Sequence, residues 1–214
     1  MIAIVPIRSG SKGIPHKNIK LFNKKPLIWW ALNALQSSKV DKIIVASDSQ
    51  KYLNLVKSFN FNKVNLYKRT NKCSTDEASS ESVLLEVISE FNLEDDIIFV
   101  QATSPLTTSK DFNGGIKLYK NHDSILSVVK QQRFIWDSKG VSLNYDYKNR
   151  PRRQDWDGYF VENGAFYINS SNNILKYKNR LSGNIGLYKM DEFHYHEIDS
   201  TQDWILLENL QKNI

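Results

Sequence analysis

Short β-branched runs, each closed by polar residues and followed by a helical stretch, constrain the architecture of this chain most. Residues 2–5, 42–48, 96–101 and 124–129 have the length and content of buried strands. Between and beside them, apolar residues recur at helical spacing over 27–35, 52–59, 82–91 and 111–121. Pro26 suits the first turn of one of these helices, and Gly114 and Gly115 weaken another. Residues 65–69 read as a short edge strand. This alternation predicts βαβ units, hence a three-layer α/β fold with a mainly parallel sheet. Right-handed crossovers then align the carboxyl ends of the strands along one edge, where ligands of such sheets bind. At 214 residues the chain suits one domain with a sizeable core, and it contains no internal repeat or clean boundary.

The first strand passes at once into Arg8-Ser9-Gly10-Ser11-Lys12-Gly13, followed by Pro15 and Lys17-Asn18. Glycines let a backbone turn tightly, so that successive N–H groups point into one concavity. With the cations Arg8, Lys12 and Lys17 close by, the loop suits a polyphosphate, although the same residues also make a solvated turn. It has neither the Gly-Lys-Ser/Thr ending of a Walker loop nor the G-x-G-x-x-G spacing of a dinucleotide fingerprint. The net charge of +6 favours an anionic partner. The basic residues are scattered rather than gathered in a stripe, which points to a small substrate and not to nucleic acid.

Cys73 is the single cysteine, which excludes an internal disulfide and a cysteine-rich zinc site. No apolar run approaches the length of a membrane span, and the amino terminus lacks a basic signal-like region. A cytoplasmic enzyme with no membrane partner is the expectation.

Further polar residues gather where strands end. Gln101 closes an apolar run and would emerge at the sheet edge with both a donor and an acceptor. Thr103-Ser104-Pro105 follows, and can also be a plain strand-to-helix turn. Residues 74–80 form a polar loop whose Ser, Thr and Asp would equally cap the next helix. Arg150-Pro151-Arg152-Arg153-Gln154 lies in an irregular, aromatic-dotted stretch over 130–159, and its guanidinium groups suit a carboxylate or phosphate. A loop that long is functional or packs against something. Near the carboxyl end, Glu197 and Asp199 fall on one face of an extended segment and suit Mg²⁺, while Asp203 reads as a helix cap. His194 and His196 share that spacing but lack further zinc ligands.

Arg-Ser-Gly-Ser-Lys-Gly-Ile-Pro-x-Lys-Asn, Gln-x-Thr-Ser-Pro-Leu, Arg-Pro-Arg-Arg-Gln-Asp-Trp-Asp-Gly and Glu-Asn-Gly-Ala-Phe-Tyr occur in that order along the chain. Together they resemble the acylneuraminate (CMP-sialic acid) cytidylyltransferases, and the arginine-rich nonapeptide resembles the sialic acid branch with its animal members. The resemblance implies a Rossmann-like nucleotidyltransferase fold over 1–214. It also implies a homodimer built by an extension over about 130–165 that helps complete the partner's sugar pocket.

The implied reaction transfers CMP from CTP to the anomeric hydroxyl of a nonulosonic acid, with Mg²⁺ as cofactor and pyrophosphate as product. Arg8, Ser9, Gly10, Ser11, Lys12, Lys17, Asn18, Arg69 and Ser80 are then nucleotide-binding. Gln101, Thr103, Ser104, Arg152, Gln154, Tyr159 and Asn163 face the sugar. Arg8, Lys17 and Asp199 are the catalytic candidates, and Asp199 with Glu197 holds the metal. The family has aspartate at both metal positions, so Glu197 is a departure. The alternatives are a related sugar (legionaminate, pseudaminate, deaminated neuraminate or a sugar phosphate) or a non-catalytic nucleotide- or RNA-binding protein.

Overall fold

The computed structural model describes residues 1–11, 13–70 and 79–212. Among these, seven strands form one sheet: β1 (Ile2–Ile7), β4 (Lys42–Ser47), β5 (Val64–Lys68), β6 (Asp96–Val100), β7 (Ser124–Gln131), β8 (Tyr159–Ser170) and β9 (Ile185–Met190). Two-residue strands β2 (Leu21–Phe22) and β3 (Lys25–Pro26) form a separate ladder. The order in the sheet is β5-β4-β1-β6-β8-β7-β9. β8 alone among these runs antiparallel, between β6 and β7.

Helices cover both faces because the strand side chains alternate and both sets are apolar. Ala3, Val5 and Ile7 of β1 pack with Ile28 and Leu32 of α1 (Leu27–Gln36), Val56 of α2 (Gln50–Lys57) and Phe112 of α4 (Ser109–Tyr119). Ile2 and Ile4 face the other way, onto Val83, Leu84 and Val87 of α3 (Ser80–Glu90) and Ile174 of α5 (Ser171–Tyr177). A smaller apolar cluster joins Ile14, Phe22, Leu106 and Ile198 to Trp204 and Leu207 of α6 (Thr201–Lys212).

Several elements differ from the sequence reading. α3 begins at Ser80, with Ser79 as its cap accepting from the Ser82 amide, so Ser80 sits in the first turn and not in the loop before it. The irregular stretch shortens to 132–158, since β7 extends to Gln131 and β8 starts at Tyr159. It is held by the Trp136–Ser142 bridge and by rings of Phe134, Trp136, Tyr145 and Trp156 packed on one another. β8 and β9 carry too many polar residues to read as buried strands. Glu197 and Asp199 lie in a bent, non-strand segment.

Candidate functional site

The carboxyl ends of β1, β4 and β6 define one edge, and the polar residues singled out from the sequence collect along it. The glycine-bearing loop leaves β1 at Ile7. Its Ser9 directs both donors sideways onto Asp48: the amide to Oδ1 at 2.9 Å and the hydroxyl to Oδ2 at 2.6 Å. Asp48 directly follows β4, so a strand-ending carboxylate fixes the start of the loop. Sequence reasoning passed over Asp48, although its place after a strand end was the available signal. Gly10 is exposed and Ser11 half-buried, while Lys12 lies outside the described residues.

Asn18 is buried and donates from Nδ2 to the Arg8 carbonyl at 3.1 Å, closing the loop onto itself. Lys17 opens a 3-10 turn at Lys17–Ile19 and reaches across the chain. Its Nζ donates to the Ile198 carbonyl at 2.7 Å and to Asp199 Oδ1 at 2.9 Å. The lysine side chain is 13% exposed and the aspartate 69%, so the pair opens to solvent on the carboxylate side. Gly13 makes the approach possible, because a Cβ there would lie 2.3 Å from the Asp199 carbonyl oxygen. Two segments 182 residues apart thus share one charged contact.

The second group centres on Glu197. Thr103 Oγ1 donates to Glu197 Oε2 at 3.1 Å, and the Ile198 amide donates to the Thr103 carbonyl at 2.9 Å. Burial, and then the charge of Asp199, raise the pKa of Glu197, against the opposing effects of the Thr103 hydroxyl and Lys17. Gly164 faces the same place: a Cβ would meet Glu197 Oε2 at 3.0 Å and Gln101 Nε2 at 3.4 Å, and its φ of +68° favours glycine.

A bulge creates this position. From Glu162 to Tyr167 β8 takes five steps while β7 takes two, from Val128 to Leu126. Bulges re-aim side chains beside sites. Asn163 within it is buried and donates from Nδ2 to the His194 carbonyl at 3.1 Å. His194 is itself buried, with Nε2 3.3 Å from the Leu106 carbonyl, whereas His196 is exposed.

The remaining candidates are placed as follows. Arg69 is buried just beyond β5, its amide donating to the Ser47 carbonyl at 2.9 Å. The Ser104 hydroxyl is buried with no hydrogen-bond partner among the described residues, as is the Tyr159 hydroxyl. Arg152 and Gln154 are not drawn into the groups above. Arg152 is 73% exposed and donates from Nε to Asp155 Oδ2 at 2.6 Å, and Gln154 is exposed beside it. Among the described residues no group of three or more His, Cys, Asp or Glu side chains is arranged to hold a metal. Glu197 and Asp199, whose charges act on one another, are nevertheless oxygen donors of the type Mg²⁺ takes, one or two carboxylates with substrate phosphates completing its shell.

The cytidylyltransferase family model matches residues 2–212. An N-acylneuraminate cytidylyltransferase of Oncorhynchus mykiss is 36% identical over 96% of this chain and 49% of its own length. A pseudaminic acid cytidylyltransferase of Campylobacter jejuni is 26% identical over 94% of this chain and 92% of its own. The chain spans about half the length of the N-acylneuraminate cytidylyltransferases it matches. A solved CMP-2-keto-3-deoxy-manno-octonic acid synthetase complexed with CTP has the same fold, with a TM-score of 0.73, 16% identity, and coverage of 99% of this chain and 98% of that one.

Proposed function

This chain belongs to the cytidylyltransferase family, and we propose that it transfers CMP from CTP to the anomeric hydroxyl of an acylneuraminate, releasing pyrophosphate. The observation that carries this reading is the Lys17–Asp199 contact, which sets a cation of the glycine-bearing loop against the carboxylate segment of the opposite chain end. Relatives named N-acylneuraminate cytidylyltransferase support the choice of base and sugar.

In this reading the sugar hydroxyl attacks the α-phosphorus in line. The new bond joins the anomeric oxygen to phosphorus, the bond from phosphorus to the bridging oxygen breaks as pyrophosphate leaves, and the hydroxyl proton passes to water. Negative charge develops on phosphate oxygens, so positioning and charge neutralisation supply the catalysis. Arg8, Lys12 and Lys17 with the loop amides hold the triphosphate, and Arg69 stands near it. Asn18 and Ser80 address the nucleoside. Gln101, Thr103, Ser104 and Asn163 face the sugar.

Asp199, aided by Glu197, holds Mg²⁺. The two carboxylates lie close enough for the charge of Asp199 to raise the pKa of Glu197, a repulsion that a bound cation relieves. Such an ion, when bound, neutralises phosphate charge and lowers the pKa of the attacking hydroxyl.

The protein works as a homodimer in the cytoplasm. Ile135, Trp136, Val141, Leu143 and Tyr147 of the extension are exposed, an apolar surface that a second copy would cover. Arg152, Gln154 and Tyr159 then serve the partner's sugar pocket. Among the described residues no helix is long and apolar enough to cross a membrane.

The test is pyrophosphate release from CTP, ATP, GTP and UTP, each with a panel of nonulosonic acids. Release with CTP and N-acetylneuraminate is expected, and inactivity of that pair beside turnover of another would overturn the assignment. The match to the Campylobacter jejuni protein over nearly its whole length favours pseudaminate as the second sugar to try.

A further inference from the structure

Lys17 and Asp199 are held at hydrogen-bonding distance although neither belongs to the sheet. The reason lies beneath them. Ile14 lies between Gly13 and Lys17 on the loop, Leu106 follows the Thr103-Ser104 passage, and Ile198 separates the two carboxylates. All three are buried together with Trp204 in one cluster, separate from the two that line the sheet. Trp204 is 5% exposed and sits in the first turns of α6. Its ring meets Phe22 edge-on at 5.5 Å, and Lys20, which ends the turn carrying Lys17 and Asn18, places Nζ 4.7 Å from its centroid.

The same turn of α6 also grips the carboxylate segment through polar contacts. Asp203 Oδ2 accepts from the Asp199 amide at 3.2 Å and the Ser200 amide at 2.8 Å, and the Ser200 hydroxyl receives the Asp203 amide at 3.2 Å. This is a capping box whose reach extends one residue beyond the cap, Ser200, to Asp199. At the far end of α6, Asn23 donates from its amide to Glu208 Oε1 at 3.0 Å and from Nδ2 to Gln211 Oε1 at 2.7 Å.

We infer that α6 is the positioning element of the site: Trp204 and Asp203 set the separation of Lys17 from Asp199, without touching substrate themselves. The inference rests on the function proposed above. It adds that the glycine-bearing loop, the 103–106 passage and the carboxylate segment move as one body because they share the Trp204 platform. Misplacing a catalytic group by about 1 Å costs on the order of a hundredfold in rate. Loosening the platform therefore reduces turnover in a protein that remains folded.

The experiment compares Trp204→Ala, Trp204→Phe and Ile205→Ala in the full chain. Ile205 is the adjacent residue, 56% exposed on the outer side of the same helix. Steady-state pyrophosphate release is measured at a temperature where circular dichroism shows each variant folded. Amide hydrogen exchange is followed at Lys17 and Asp199 and at core residues of β4.

Expected are a fall in kcat/KM for CTP of about tenfold to a hundredfold in Trp204→Ala, substantial recovery in Trp204→Phe, and wild-type rates in Ile205→Ala. Exchange should accelerate at Lys17 and Asp199 but not in β4. A folded Trp204→Ala with wild-type kcat/KM and unchanged exchange at both amides overturns the inference, as does equal impairment of Ile205→Ala. If the wild type turns over no nucleotide, the proposed function fails. The exchange comparison then still decides whether Trp204 holds the two segments together.

Discussion

Replacing Lys17 by methionine removes the ammonium while keeping the length of the side chain, and its consequences follow from the two contacts it makes. The Ile198 carbonyl loses a charged donor at 2.7 Å, a contact of the kind that contributes about 1.5–3 kcal/mol. The bond to Asp199 is discounted, because that carboxylate is 69% exposed and such pairs contribute about 0.2–1 kcal/mol. A loss of about 2–4 kcal/mol is thus expected, most of it from the carbonyl contact. For a chain of this size the unfolding midpoint should fall by about 4–16 °C.

On the proposed assignment of Lys17 to the triphosphate, turnover should fall much further, since a donor to developing oxyanion charge is worth about 10²–10³ in kcat. The assay pairs a thermal melt with pyrophosphate release from CTP below the midpoint. A folded Lys17→Met variant whose kcat/KM stays within about threefold of wild type would refute the assignment of Lys17 to the triphosphate.

Three further outcomes are expected. Glu197 has a pKa raised by burial and by Asp199, so its contribution to stability is greatest when it is protonated and is lost as pH rises through the folded-state value. Glu197→Gln should therefore melt higher than wild type at neutral pH and show a shallower pH dependence just above the ordinary glutamate range; identical melting curves across that window would contradict the burial argument. Gly13→Ala should cut activity by more than about tenfold, because the new Cβ overlaps the Asp199 carbonyl oxygen at 2.3 Å and pushes the carboxylate segment away from Lys17. Unchanged kinetics would mean that the two segments need not touch during turnover. Chelation by EDTA should abolish pyrophosphate release and added Mg²⁺ restore it, and full activity in chelator would remove the metal from the account.

Much of this was legible in the sequence because the relevant signals are local. Residues 2–5 and 42–48 read as buried strands since both of their faces are apolar, and they coincide with most of β1 and with β4; the polar residues that follow lie at the edge where ligands of such sheets bind. The antiparallel β8 was not legible as a strand. Its Glu162-Asn163-Gly164 passage looks like loop, and it is strand only because β6 and β7 supply partners on both sides. β9, with exposed Ile185, Leu187 and Lys189 alternating with Gly186 and Tyr188, shows the same dependence on a neighbour.

At the site, residue types pointed to Lys17 and Asp199 separately, but nothing local reports a bond across 182 residues. Asp48 escaped notice because its role is to hold Ser9, a relation fixed by the β1–β4 register rather than by spacing. Trp204 carried no signal of its own in the sequence, and its place becomes visible only where the fold buries it with Ile14, Leu106 and Ile198.

The central claim is best tested by following the reaction on the sugar itself. CTP, Mg²⁺ and N-acetylneuraminate labelled with ¹³C at the anomeric carbon are incubated with the protein, and the carbon and phosphorus spectra are recorded. The account predicts a new anomeric carbon signal split by coupling to phosphorus, growing in step with pyrophosphate. An unsplit anomeric signal after prolonged incubation, with CTP intact or hydrolysed without sugar attached, would contradict it.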